Sequence, residues 1–110
     1  MSGEIRLLVI SNYGQNTEII SEDPSHETIK NTMQNLNWQG FHQVVLEKKN
    51  GDWLEVGGSL NPSDGLSVMY EENGNQHVIK VPPTTIDEMT YFLLDYLDGS
   101  SDWKINHDWH

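Results

Sequence analysis

The chain has 110 residues, with 17 Asp plus Glu against 6 Lys plus Arg and no cysteine. That length supports one domain spanning residues 1–110, and the missing cysteine removes disulfides, thiolate metal sites and cysteine nucleophiles while fitting a reducing, cytoplasmic compartment. A formal net charge of -11 argues against nucleic acid or anionic lipid as a direct ligand, since both require a basic footprint.

The start, Met1-Ser2-Gly3-Glu4-Ile5-Arg6, lacks the basic residues and long apolar stretch of a secretory leader, and no apolar run reaches membrane-span length. Ile5 to Ile10 is short and β-branched and is expected as a strand, ended by Asn12-Tyr13-Gly14. Asp23-Pro24 predicts a helix start with Asp23 as cap and Pro24 at the first helical position. Ile29, Met33 and Leu36 form its apolar stripe, and it should stop between Asn37 and Gly40.

A meander follows. Phe41 to Lys49 is expected as a strand, Asn50-Gly51 as a tight hairpin turn, and Trp53 to Leu60 as the partner strand, with Leu54, Val56 and Leu60 on one face. Leu66 to Glu72 alternates apolar and polar residues. Asn73-Gly74-Asn75 turns the chain, and Gln76 to Val81 closes the set with Val78, Ile79 and Val81. Connections this short dictate antiparallel pairing. Pro82-Pro83 breaks the sheet. Thr85 with Glu88 fits a capping box opening a second helix, and Gly99 is its natural stop. The tail from Ser100 carries Trp103, Ile105 and Trp109 and should pack back on the domain, where it could add one more strand. The expected architecture is α+β: an antiparallel sheet of about five strands with two helices on one face.

The second helix carries most of the functional information. At about 100° per residue, Ile86, Met89, Phe92, Leu93, Tyr96 and Leu97 share one arc, whereas Asp87, Glu88, Tyr91, Asp95 and Asp98 share the other. Like charges at these spacings repel by a few tenths of a kcal/mol per pair, about 0.2–0.5. Asp95 and Asp98 also sit at the end of the helix where the macrodipole disfavours anions. Stability alone would not choose this face. A tyrosine ringed by acids has the make-up of an interface anchor with a charged rim, and Glu71-Glu72 could extend the acidic surface. Residues 1–50 carry six acids and four bases, and residues 51–110 eleven acids and two bases, so the negative charge is concentrated in the half that holds this helix.

The five histidines invite other chemistry. His107-x-x-His110 has ligand-like spacing, but a terminal pair with no evident third ligand fixes no geometry. No cofactor or metal site is expected. His42 or His77 could form an acid–base pair with Glu47 or Glu55, although alternation puts His42 on the Val44 and Leu46 face, where it fills the sheet. No nucleotide-binding, nucleophile-elbow, zincin or EF-hand motif occurs. Gly57-Gly58 interrupts a strand, which calls for a bulge or a close backbone approach.

The stretch from Trp53 to Trp109 resembles the small immunity proteins of bacterial polymorphic-toxin and contact-dependent growth-inhibition systems. The resemblance is carried by Leu54-Glu55-Val56-Gly57-Gly58, Leu66-Ser67-Val68-Met69-Tyr70, Val81-Pro82-Pro83-Thr84-Thr85, Tyr91-Phe92-Leu93-Leu94-Asp95-Tyr96-Leu97-Asp98-Gly99, and a following tryptophan, Trp103 or Trp109. The first half of the chain follows the pattern by element order. The resemblance implies a non-enzymatic inhibitor of one cognate toxin domain, often a nuclease with a basic cleft, and it carries over no contact residue. The partner-binding residues expected from helix geometry are Tyr91, Asp87, Glu88, Asp95 and Asp98, with Glu71 and Glu72 peripheral. Two rivals are a small hydrolase-like enzyme using a His/carboxylate pair, and an acidic nucleic-acid mimic that would need carboxylates spaced like phosphates.

Overall fold

A computed structural model describes residues 4–110; the opening Met1-Ser2-Gly3, read above for a targeting signal, lies outside the described residues. The elements in chain order are β1 (Ile5–Ser11), β2 (Asn16–Ser21), α1 (His26–Asn35), β3 (His42–Lys48), β4 (Trp53–Gly58), β5 (Leu66–Glu72), β6 (Asn75–Val78), α2 (Ile86–Asp98) and the single-turn α3 (Asp102–Ile105). The strands form one antiparallel sheet in the order β2-β1-β3-β4-β5-β6. The α+β architecture is as expected, with six strands rather than five and a third, short helix.

Period-2 alternation sorts the sheet into two faces. Leu7, Leu46, Leu54 and Tyr70 lie opposite one another across β1, β3, β4 and β5, as do Val9, Val44, Val56 and Val68. These eight are buried and form one core with Ile29 and Met33 of α1 and Met89, Phe92, Leu93 and Tyr96 of α2. Both long helices therefore cover the same face. On the other face Leu8 and Val45 are also buried, and Glu55 and Met69 stand half-buried in the same cross-strand row. An antiparallel sheet tolerates this, because one face can be left to water.

Several expected boundaries move for local reasons. The cap of α1 is Ser25, not Asp23: the Ser25 hydroxyl accepts the Thr28 amide at 3.2 Å, and the Thr28 hydroxyl accepts the Ser25 amide at 3.3 Å. Asp23 instead donates its amide to the Ser21 hydroxyl, and Pro24 is buried just ahead of the cap. Strand β4 stops at Gly58, so Leu60 is half-exposed rather than on the core face. Strand β6 stops at Val78; Ile79 enters the core, and Val81 projects into solvent.

The tail packs back as expected, but by a different route. Helix α3 seats Trp103, and the chain then returns along β6, with an antiparallel bridge between Ile79 and Trp109. Tyr70, Trp103 and Trp109 meet edge-to-face with centroids 4.8–5.9 Å apart, and Tyr96 joins through Trp103 at 5.4 Å. Such pairs add about 0.5–1.5 kcal/mol each beyond their buried area. They account for a chain low in aliphatic residues closing its core with aromatics.

Candidate partner-binding face

Helix α2 is fixed at both ends before its exposed face is considered. The Thr85 hydroxyl accepts the Glu88 amide at 3.1 Å. The Glu88 carboxylate accepts the Thr84 hydroxyl at 2.8 Å rather than the Thr85 amide that a full capping box would use. Gly99 ends the helix at φ +79°, a conformation costly for other residues. Met89, Phe92, Leu93, Leu94 and Tyr96 are buried. Lys48 adds a cation–π contact from β3, 4.7 Å above the Tyr96 ring.

The opposite side of α2 presents Tyr91, 66% exposed. Tyr91 forms a ridge between two hollows. One, of about 190 Å³, lies between α2 and α3 and is bordered by Glu88, Asp95 and Asp102, with Phe92 and Trp103 contributing aromatic walls. The other, of about 280 Å³, lies between α1 and α2 and is bordered by Asp87, Lys30 and Leu94. Asp87, Glu88 and Asp95 take part neither in the two ion pairs found among the described residues, Arg6–Glu47 and Lys104–Glu72, nor in the His26–Asp98 hydrogen bond.

The remaining expected site residues are placed differently. Asp98 contacts His26 Nε2 at 2.6 Å and ties the end of α2 to the start of α1. Glu72 accepts from Lys104 Nζ at 2.6 Å, an interaction that pushes the lysine pKa up and anchors α3 to β5. Glu71 lies on the sheet face away from the helices, in register with Trp53 and Gln76. The strand period separates it from Glu72 by a whole sheet, so these two acids do not extend the α2 face together. Asp102, which sequence reasoning missed, does extend it. It was hidden because the tail was read as a possible strand, and only the turn of α3 brings this carboxylate beside Asp95 in the same hollow.

The histidine–carboxylate pairs considered from sequence do not form. His42 is on the helix-covered face, edge-on to Trp38 at 5.7 Å, with Nδ1 2.8 Å from the Ser11 hydroxyl and Nε2 3.0 Å from the Asn37 carbonyl. His77 stacks on Tyr70 at 4.9 Å. Glu47 and Glu55 are on the other face, where Glu47 pairs with Arg6 and Glu55 accepts from Gln43 Nε2 at 3.0 Å. Burial pushes the Glu55 carboxyl above its ordinary pKa, with the Gln43 bond pulling partly back. His107 rests on Phe92, and no three His, Asp or Glu side chains converge to hold a metal among the described residues. No helix among them is long and apolar enough to cross a membrane. No known protein family, curated protein or solved structure matches the chain.

Proposed function

We propose that this protein is an immunity protein: a stoichiometric inhibitor that binds and neutralises a cognate cationic toxin domain, a nuclease being the toxin class that best fits an acidic partner. The supporting observation is Tyr91 standing exposed between two hollows, with Asp87, Glu88 and Asp95 around it and no basic side chain paired to any of them. An aromatic centre supplies contact area at low entropic cost, and a negative rim steers a positive partner and selects against others. With a net charge of -11 the whole molecule adds to that field. The reading needs no catalytic residue and no cofactor, and the absence of cysteine suits action in the cytoplasm.

The decisive experiment is co-expression with the C-terminal domain of a toxin-like reading frame encoded immediately upstream, followed by co-purification and a growth-protection assay. A one-to-one complex and restored growth are expected. Within that complex, Tyr91→Ala should raise the dissociation rate about tenfold or more, whereas Asp95→Asn should slow association at low salt and lose its effect at high salt. If both variants protect and bind like the parent chain, the α2 face is not the docking face. If no complex forms with the neighbouring domain, the inhibitor reading itself fails.

A further inference from the structure

The two edges of the sheet are finished differently. At β6 the returning tail closes the edge: the His110 amide donates to the Val78 carbonyl at 2.8 Å, and the Lys80 amide donates to the Asp108 carbonyl at 2.9 Å. At β2 the outer edge has no backbone partner among the described residues. Its sequence, Asn-Thr-Glu-Ile-Ile-Ser, contains neither the lysine nor the proline that commonly blunts an exposed edge. The single register irregularity between β1 and β2 falls between Leu7 and Leu8, leaving Asn16 to Ile19 regularly paired.

A second observation points to the same place. A hollow of about 650 Å³, far larger than either beside Tyr91, runs between β2 and α1. Val9, Ile20 and Leu36 give it an apolar floor, Glu18 and Glu27 stand on its rim, and no lysine or arginine lines it. Glu22 and Asp23 follow directly after the strand.

We propose that the β2 edge and the β2–α1 hollow together form a docking site for an extended, basic segment of a partner protein, which adds to β2 as a seventh strand. The unpaired amides and carbonyls of β2 supply ladder hydrogen bonds, and the strand period sends every second side chain of the incoming segment over the hollow. There an aliphatic stem meets Val9, Ile20 and Leu36 while an ammonium or guanidinium head reaches Glu18 or Glu27, the arrangement long basic side chains favour. A second copy of the chain fits poorly, because each copy brings a net charge of -11 and sets Glu18 against an equally acidic strand. The inference does not depend on the α2 face being a docking face.

The test uses the isotope-labelled full chain titrated with a capped hexapeptide of alternating lysine and valine, followed by amide and methyl NMR. Shifts and slowed hydrogen exchange are expected across Asn16–Ser21, with methyl shifts at Ile20 and Leu36. A glutamate–valine peptide should bind about tenfold more weakly, and the paired substitution Glu18→Gln with Glu27→Gln should weaken the lysine peptide by about threefold or more. Both carboxylates are exposed, so these changes leave the fold intact. Unmoved β2 amides at millimolar peptide, equal binding of the two peptides, or insensitivity to the paired substitution would each overturn the proposal. A response confined to α2 would also overturn it, and would leave the inhibitor reading above standing.

Discussion

Gly58 has φ +120°, and a Cβ placed on it would lie 1.9 Å from the Gly65 carbonyl oxygen. The loop from Asn61 to Gly65 folds back against β4 at that point, where the Ser59 amide donates to the same carbonyl at 3.0 Å and the Ser59 hydroxyl donates to Asp64 at 2.7 Å. Gly58→Ala should therefore destabilise the protein by more than about 3 kcal/mol, combining backbone strain with a clash against main chain that cannot swing away; chemical denaturation measures it. Glu55 gives the opposite sign at neutral pH. Its folded pKa is raised by burial, so the fold favours the protonated form. Its stabilising contribution is complete below the ordinary carboxylate pKa and is lost as pH rises through the raised folded value. Glu55→Gln should raise the thermal midpoint at pH 7, and the advantage should vanish as pH falls toward the ordinary carboxylate range. The Gly57-Gly58 pair could be read from sequence as a close backbone approach, because two glycines inside an apolar strand have few other uses. The Glu55 environment could not, since it depends on which three strands stand side by side.

At the scale of the element, the sequence was clearest where local chemistry decides the outcome. The Thr85 cap, the Gly99 stop and the exposed arc holding Tyr91 followed from spacing alone, and so did the hairpins at Asn50-Gly51 and Asn73-Gly74. Thr85→Ala should cost about 1 kcal/mol, read as a lowered midpoint of two-state unfolding. Strand β2 was missed because an edge strand carries no core face to print an alternating pattern. Four of its six residues are exposed, and its neighbours Asn12 and Tyr13 adopt positive φ in a turn with no strong glycine signal until Gly14. Helix α1 was found with its cap displaced, because Asp-Pro and Pro-Ser offer competing starts two residues apart. Only the reciprocal bonds between Ser25 and Thr28 decide between them. The candidate face was legible to the same extent: Tyr91, Asp87, Glu88 and Asp95 lie together on the side of α2 away from the core, while the partners of Asp98 and Glu72 came from elements more than 30 residues away.

For the molecule as a whole, the tail is structural. Trp103 is 6% exposed and touches Tyr70, Tyr96 and Trp109, so Trp103→Ala should cost about 3–5 kcal/mol, and a chain ending before Asp102 should lose more. Such a truncation would also uncover β6 and give the sheet a second open edge. Light scattering should then show more self-association than the full chain does at the same concentration. Charge sets the long-range behaviour. The proposed docking face, bordered by Asp87, Glu88 and Asp95, predicts a complex whose association rate falls steeply between low and physiological ionic strength while its dissociation rate barely changes.

The four tryptophans fall in three separate surroundings. Trp38 is sealed beneath α1 with its indole N–H on the Met33 carbonyl, Trp103 and Trp109 share the aromatic cluster, and Trp53 stands half-buried on the helix-free side of the sheet. Single tryptophan-to-phenylalanine variants would thus turn emission colour and quenching into three optical reporters: one for the interior, one for tail docking, and one for anything that settles on the bare side of the sheet.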